Sequence, residues 1–103
     1  MTEHAYVRTV RDLYLHLPHT SCRFSRSDRS LACDLYRRGI PLDIVRSALL
    51  LATARRVHPN SQAPSLPTVR SLHYFLNAID EVLLQPLPHG YVQYLQSKIA
   101  ELQ

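Results

Sequence analysis

Glycine, cysteine and tryptophan are scarce in this chain, whose 103 residues include two glycines, two cysteines and no tryptophan. Two glycines are too few for the many turns of a β-sandwich or for a Gly-rich loop that cradles phosphate. Two cysteines without a Cys-x-x-Cys pair do not make a disulfide scaffold, so we expect reduced thiols and a cytoplasmic protein. Long apolar runs are missing too, so we expect neither a signal peptide nor a membrane span.

Catalytic motifs are missing as well. Serine, histidine and aspartate occur, but without a nucleophile elbow or a Gly-rich oxyanion loop. Asp80 and Glu81 are neighbours, and on a helix their side chains point about 100° apart, so they do not form a paired acid and base. We therefore expect a protein that is not an enzyme and needs no cofactor.

The chain does contain apolar residues that recur at steps of three and four. With 46% hydrophobic and 19% charged residues, this pattern predicts one folded domain over residues 1–103. The predicted class is all-α, a compact bundle of about five helices. Thr2 can cap the first helix, which Pro18 ends, and Ser25-x-x-Asp28 has the spacing of a capping box for the second. Gly39 can close that second helix in a left-handed conformation.

The second half continues the helical pattern. Pro41 favours the start of a third helix, which runs to about Arg56 and is apolar around most of its girth, so we expect it to be central. Residues 57–67 contain three prolines and predict a loop. Thr68 then caps a predicted fourth helix, and a fifth begins near His89.

Positive charge is concentrated in the first half. Residues 1–56 hold ten arginines and five acidic residues, a net charge of +5, whereas residues 57–103 carry −1. Arginine supplies eleven of the twelve basic residues and can hold phosphate or carboxylate through two N–H groups. This favours an anionic partner; the alternative is a solvated face neutralised by helix-spaced acids. The arginines that we expect to contact nucleic-acid phosphates are Arg23, Arg26, Arg29, Arg37, Arg38 and Arg46.

The predicted second and third helices are joined by Gly39-Ile40-Pro41, which is the outline of a helix-turn-helix. In that motif the first turns of the second helix reach base edges, and here they carry Leu42, Asp43, Arg46 and Ser47. Only Arg46 is a strong base reader, and phosphate would repel Asp43, so phosphate contact is better supported than base contact. The alternative is a plain helical hairpin.

Zinc-capable side chains form a further cluster, since His16, His19, Cys22 and Cys33 lie within eighteen residues. Zinc held by these side chains would tie the first loop to the second helix. The spacing is not that of a common zinc finger. The alternative interpretation is two unrelated surface histidines and small buried cysteines.

Two features of the second half bear on partners. Tyr74 on the predicted fourth helix, near Arg70, His73 and Asn77, can stack on a base if it is exposed, or lie in the core with its hydroxyl at the rim. The last helix has the apolar spacing of a two-helix seam, which would serve a homodimer or pack on the same chain. The residues of this seam are Val92, Leu95, Ile99 and Leu102.

Two stretches carry a family resemblance. GIPLDIVRSALLLA at residues 39–52, followed after a polar break by VRSLHYFLNAI at 69–79, resembles the helical module of DnaD-like replication-initiation proteins. Phe75, Ile79 and Leu83 occupy the four-residue steps of that module, whereas Asp80 replaces an apolar residue and the tryptophan of the module is absent. The stretches are also similar to short replication-associated proteins of mobile elements. The resemblance implies binding to single- or double-stranded DNA and to primosome or helicase-loading partners.

Two functional hypotheses follow. The first is a small DNA-binding accessory protein of replication or mobile-element maintenance, which contacts phosphates through the arginine face of its N-terminal half. The second is a protein-interaction module, a subunit, adaptor or inhibitor of a larger nucleoprotein complex that has no DNA affinity of its own.

Overall fold

The computed structural model describes residues 1–18, 20–21, 23–56 and 68–101, and within these ranges it contains five α-helices, one turn of 3₁₀ helix and no extended strand. This confirms the predicted all-α bundle. The loop predicted over residues 57–67 and the seam residue Leu102 lie outside the described residues. The helices are α1 (Glu3–Leu15), α2 (Arg26–Arg37), α3 (Leu42–Arg56), α4 (Leu76–Leu84) and α5 (His89–Glu101), and the 3₁₀ turn (Leu72–Phe75) leads directly into α4.

The predicted caps of the first two helices are present. The Thr2 hydroxyl accepts a hydrogen bond from the Ala5 amide at 3.1 Å and so satisfies one free donor at the start of α1. At the start of α2 the Asp28 amide donates to Ser25 Oγ at 3.1 Å, and the Ser25 amide donates to Asp28 Oδ2 at 3.0 Å. This reciprocal pair is the capping box that the spacing predicts.

The turn between α2 and α3 depends on Gly39, whose φ is +71°. The Gly39 amide donates to the carbonyl of Tyr36 at 3.0 Å, and the Ile40 amide donates to the carbonyl of Leu35 at 3.1 Å. This pair of bonds is a Schellman motif, which needs a left-handed residue at the glycine position. Ile40 and Leu35 are both buried, so the turn also closes an apolar contact before Pro41 starts α3.

The prediction that Thr68 caps the fourth helix is wrong. Val69 remains extended, forms an isolated bridge with Thr20, and accepts a hydrogen bond from the Ser21 amide at 2.8 Å. Helical structure begins only after Ser71, whose hydroxyl accepts from the His73 amide at 3.1 Å. The extended segment is held from outside by the bridge, and this tertiary contact outweighs the local capping signal.

Helix α3 is the centre of the bundle and packs against α1, α4 and α5. Its buried side chains include Val45, Leu50 and Leu51, which project about 100° or more apart around the helix axis, as the apolar residues around most of the helix predict. No helix within the described residues is long and apolar enough to cross a bilayer.

Helices α1 and α2 form an antiparallel pair. The ring centroids of Tyr6 and Tyr36 are 5.3 Å apart at one end of the pair, and those of Tyr14 and Phe24 are 6.1 Å apart at the other. Helix α2 packs chiefly on α1 and the 3₁₀ turn, so α2 and α3 are not each other's main partners although Gly39-Ile40-Pro41 joins them.

Candidate anion-binding cleft

A basic cleft of about 280 Å³ lies between α1 and α2. His4, Arg8 and Arg11 are spaced by four and three residues, so they share one face of α1. The antiparallel packing of the pair places Arg29 of α2 on the opposite wall, and Val7 completes the lining. Three guanidinium groups and one imidazole therefore border one small space.

The charge of the cleft is poorly neutralised. No carboxylate lines it, and within the described residues neither Arg8 nor Arg29 makes an ion pair. Arg11 lies 3.5 Å from the exposed carboxylate of Asp12, a contact that contributes little in water. Because like charges face each other here, the cleft is suited to an anion that accepts hydrogen bonds from several guanidinium groups at once.

A second basic pocket, of about 570 Å³, lies at the start of α2. Arg23 and Arg70 come from distant segments, and both line it together with Ser21, Phe24 and Ser25. The bridge between Thr20 and Val69 explains why these segments meet.

Arg26 is exposed, lies one helical turn before Arg29 on α2, and comes between Arg23 and Arg29 along the chain. Within the described ranges Arg23, Arg26 and Arg70 form no ion pair. We call the combined surface the basic track: Arg8, Arg11, Arg29, Arg26, Arg23 and Arg70.

Three of the six arginines predicted from the sequence lie on this track, namely Arg23, Arg26 and Arg29. Arg37 and Arg38 are exposed, but each lies beside a carboxylate: Arg37 is 3.3 Å from Glu3, and Arg38 is 3.9 Å from Asp80.

Arg46 lies elsewhere, because it is half-buried in α3 and lines a groove with Gln96 of α5. Ser47, the next predicted base-contacting position, is buried, and Asp43 borders a pocket that α5 also lines. Three of these positions thus border α5, and Ser47 is closed to solvent, whereas a helix that reads bases in a helix-turn-helix presents its first turns to the major groove.

The sequence did not predict that Arg8, Arg11 and Arg70 belong to the basic track, or that His4 lines its cleft. The regular spacing of His4, Arg8 and Arg11 on one helix face was the available signal. The position of Arg29 opposite them depends on which helix α1 packs against, and a linear pattern does not contain that information.

Asp28 has a second role beyond the capping box. Its side chain is fully buried, and its Oδ1 accepts from the Ser71 hydroxyl and from the Leu72 amide, each at 2.9 Å, while His73 Nδ1 lies 3.7 Å away. Burial by itself raises the pKa of Asp28, but the hydrogen bonds from Ser25, Ser71 and Leu72 outweigh it and the pKa is lowered. The carboxylate ties α2 to the 3₁₀ turn, and it faces inward instead of neutralising the arginines.

The predicted zinc ligands do not converge. Cys33 lies near Glu3 at the start of α1, and burial together with the Glu3 carboxylate raises the pKa of the thiol. His16 follows the other end of this 13-residue helix, about 20 Å away at 1.5 Å per residue, so one ion cannot bind both. His19 and Cys22 lie outside the described residues. Elsewhere in the described part of the chain, no three histidine, cysteine or acidic side chains come together as a metal site.

The aromatic and seam residues of the second half have distinct surroundings. Tyr74 is 49% exposed, and the guanidinium carbon of Arg56 lies 5.1 Å from its ring centroid. Leu95 and Ile99 are buried in the chain's own core and Val92 is half-buried, so the described seam residues pack on the same chain and do not form a free apolar surface.

Comparisons with known proteins found no matching family model and no similar curated protein or solved structure. The DnaD-like resemblance therefore stays a prediction.

Proposed function

We propose that this protein binds DNA through its phosphates along the basic track, as a small accessory protein of replication or mobile-element maintenance. The observation that carries DNA binding is the cleft in which Arg8, Arg11 and Arg29 face one space, and no carboxylate is among the described residues that line it. The biological setting depends on the DnaD-like resemblance alone.

Phosphate contact is the expected mode of binding because each neutralised phosphate releases condensed counterions. The track supplies arginines on two helices and on two connecting segments, whereas the first turns of α3 border a pocket that α5 also lines. We therefore expect binding with little sequence preference and a steep dependence on salt.

Fluorescence anisotropy with a labelled short duplex, titrated at about 50 mM and about 200 mM salt, tests this proposal. The double variant Arg8→Gln/Arg29→Gln should lower the affinity at both salt concentrations. It should also reduce the salt slope by about 1.8, since each lost phosphate contact removes about 0.9. Both residues are surface arginines that form no ion pair with any described residue, so the variant should keep its helical circular dichroism.

The matched control is Arg38→Gln/Lys98→Gln. It also removes two positive charges, but from side chains that lie beside Asp80 and Glu101. It should change the salt slope much less. Equal losses in the two variants would mean that net charge alone attracts DNA, and no binding of the unaltered protein at about 50 mM salt would refute the proposal.

A second candidate function, a protein-interaction module, is favoured by the exposed face of α5. Tyr91 and Tyr94 are 42% and 53% exposed and their rings stack with centroids 6.0 Å apart, while Lys98 lies 5.8 Å from the centroid of Tyr94. Exposed tyrosines are common at the centres of protein interfaces. Tyr91→Ala/Tyr94→Ala should leave DNA affinity unchanged under the first function. Under the second function, it should abolish the binding of a partner protein in a pull-down.

A further inference from the structure

The cleft between α1 and α2 gathers more positive charge than one internal phosphate of a DNA strand can neutralise. Arg8, Arg11 and Arg29 each carry a full charge, and His4 adds a further hydrogen-bonding nitrogen. An internal phosphodiester carries one negative charge and has two non-ester oxygens. A phosphomonoester carries about −1.5 to −2 and has three strong acceptor oxygens, which match three guanidinium groups better.

The size of the cleft allows this ligand. Its 280 Å³ has room for one phosphate group with part of its hydration shell. An internal phosphate must also leave the cleft on two sides, because both of its ester oxygens continue into sugars. A terminal phosphate has one ester link, so the strand continues from it in one direction only.

The surroundings of the cleft leave its arginines available. Arg8 and Arg29 form no ion pair within the described ranges, and Arg11 has only the 3.5 Å contact with exposed Asp12, which a phosphate can displace. Glu3, on the same helix, is held by Arg37 at 3.3 Å.

We propose that this cleft is a phosphomonoester site, which binds the terminal phosphate of a nucleic-acid strand in preference to an internal phosphodiester. The inference rests on the proposed function, since the strand reaches the cleft along the basic track. Arg26 and Arg23 would then contact the internal phosphates that follow the terminal one.

The test compares one short single strand in three forms: with a 5′-phosphate, with a 3′-phosphate, and with hydroxyls at both ends. Each form competes against a labelled strand in an anisotropy titration at about 150 mM salt. We expect at least one phosphorylated form to bind about tenfold more tightly than the hydroxyl form, the size of one added charge-assisted contact. Arg8→Gln/Arg29→Gln should abolish that difference, and Arg38→Gln/Lys98→Gln should keep it.

The outcomes separate the two proposals. Equal affinity of all three forms, with binding still lost in Arg8→Gln/Arg29→Gln, would overturn the monoester site and leave phosphate-mediated DNA binding intact. A tenfold preference that survives in Arg8→Gln/Arg29→Gln would also overturn the site, because the terminal phosphate would then bind elsewhere. If no form of the single strand bound, the monoester site would fall, and the duplex titration at about 50 mM salt would decide whether phosphate-mediated DNA binding stands. Capture of a phosphorylated peptide but of no strand would likewise reject the nucleic-acid ligand.

Discussion

Replacing the buried Asp28 by alanine should reduce the free energy of unfolding by about 3–5 kcal/mol, because it leaves buried donors unsatisfied and removes one half of the capping box. The substitution removes the acceptor of three donors: the Ser25 amide, the Ser71 hydroxyl and the Leu72 amide. Ser25 is exposed, so water can satisfy its amide. Leu72 is fully buried and Ser71 is half-buried, and each unsatisfied buried donor costs about 1–3 kcal/mol.

Asp28→Asn should be milder, at about 1–2 kcal/mol, because the amide oxygen can still accept from Ser71 and Leu72. Its NH₂ group would face the Ser25 amide, so that one bond is lost. The matched control is Asp34→Ala on the same helix, whose side chain is exposed and should change stability by no more than about 0.5 kcal/mol.

The pH dependence gives a second measurement on the same residue. The pKa of Asp28 lies below its ordinary value of 3.8 in the folded protein, because its hydrogen bonds outweigh the effect of burial. The stability that this carboxylate contributes is therefore present above the ordinary pKa and is lost as the pH falls through the lowered folded pKa. Since asparagine does not titrate, the stability difference between the wild-type protein and Asp28→Asn should narrow below pH 3.8.

Urea unfolding followed by far-UV circular dichroism is the suitable assay, because the chain has no tryptophan to report on its core. At about 4–8 °C per kcal/mol for a domain of this size, Asp28→Ala should also lower Tm by at least about 12 °C. A loss below about 1 kcal/mol for Asp28→Ala, or an equal loss for Asp34→Ala, would refute the assigned role of the carboxylate.

Two further predictions concern the turn after α2 and the contact between α1 and that turn. Gly39→Ala should lower the free energy of unfolding by about 1–2 kcal/mol, because a φ of +71° is left-handed and disfavours alanine even though an added Cβ would meet no atom within 4 Å. Gly90→Ala in α5, where φ is not left-handed, should instead raise the free energy of unfolding by about 0.5–1 kcal/mol. Urea titration measures both. Tyr6→Phe should cost about 1 kcal/mol by removing the buried 2.7 Å hydrogen bond from the Tyr6 hydroxyl to the Ile40 carbonyl, and Tyr94→Phe on the surface should cost nothing measurable. Burial raises the pKa of Tyr6 above 10.0, so wild-type stability should fall as the pH rises through that raised value, and Tyr6→Phe should lack this component.

The features that sequence reasoning predicted correctly are those decided within a few residues. The Thr2 cap, the Ser25 and Asp28 box and the left-handed Gly39 each depend on bonds that span three to five positions. The apolar residues around most of α3 likewise predicted that this helix lies at the centre of the bundle. These signals are strong because the local sequence alone determines whether a capping side chain or a left-handed glycine is available, and this decides where a helix begins or ends.

The features that were missed depend on contacts between distant segments. Thr68 has the chemistry of a cap, yet the bridge of Val69 with Thr20 keeps this part of the chain extended as far as Ser71. In the same way, the pattern of arginines indicates a basic first half but not which helices are neighbours. Arg29 joins Arg8 because α2 packs on α1 instead of α3.

The link between Asp28 and the 3₁₀ turn also has a consequence for folding kinetics. It joins residues 43 and 44 positions apart, and closing a loop of that length costs roughly 3 kcal/mol of chain entropy. We expect the link to form after the rate-limiting step, so its loss should speed unfolding more than it slows folding. At about 1.4 kcal/mol per tenfold, a link worth about 4 kcal/mol lengthens the lifetime of the native state by up to about a thousandfold. The inward-facing carboxylate would then set how long the basic surface of α2 stays assembled, and how rarely the chain opens to a protease.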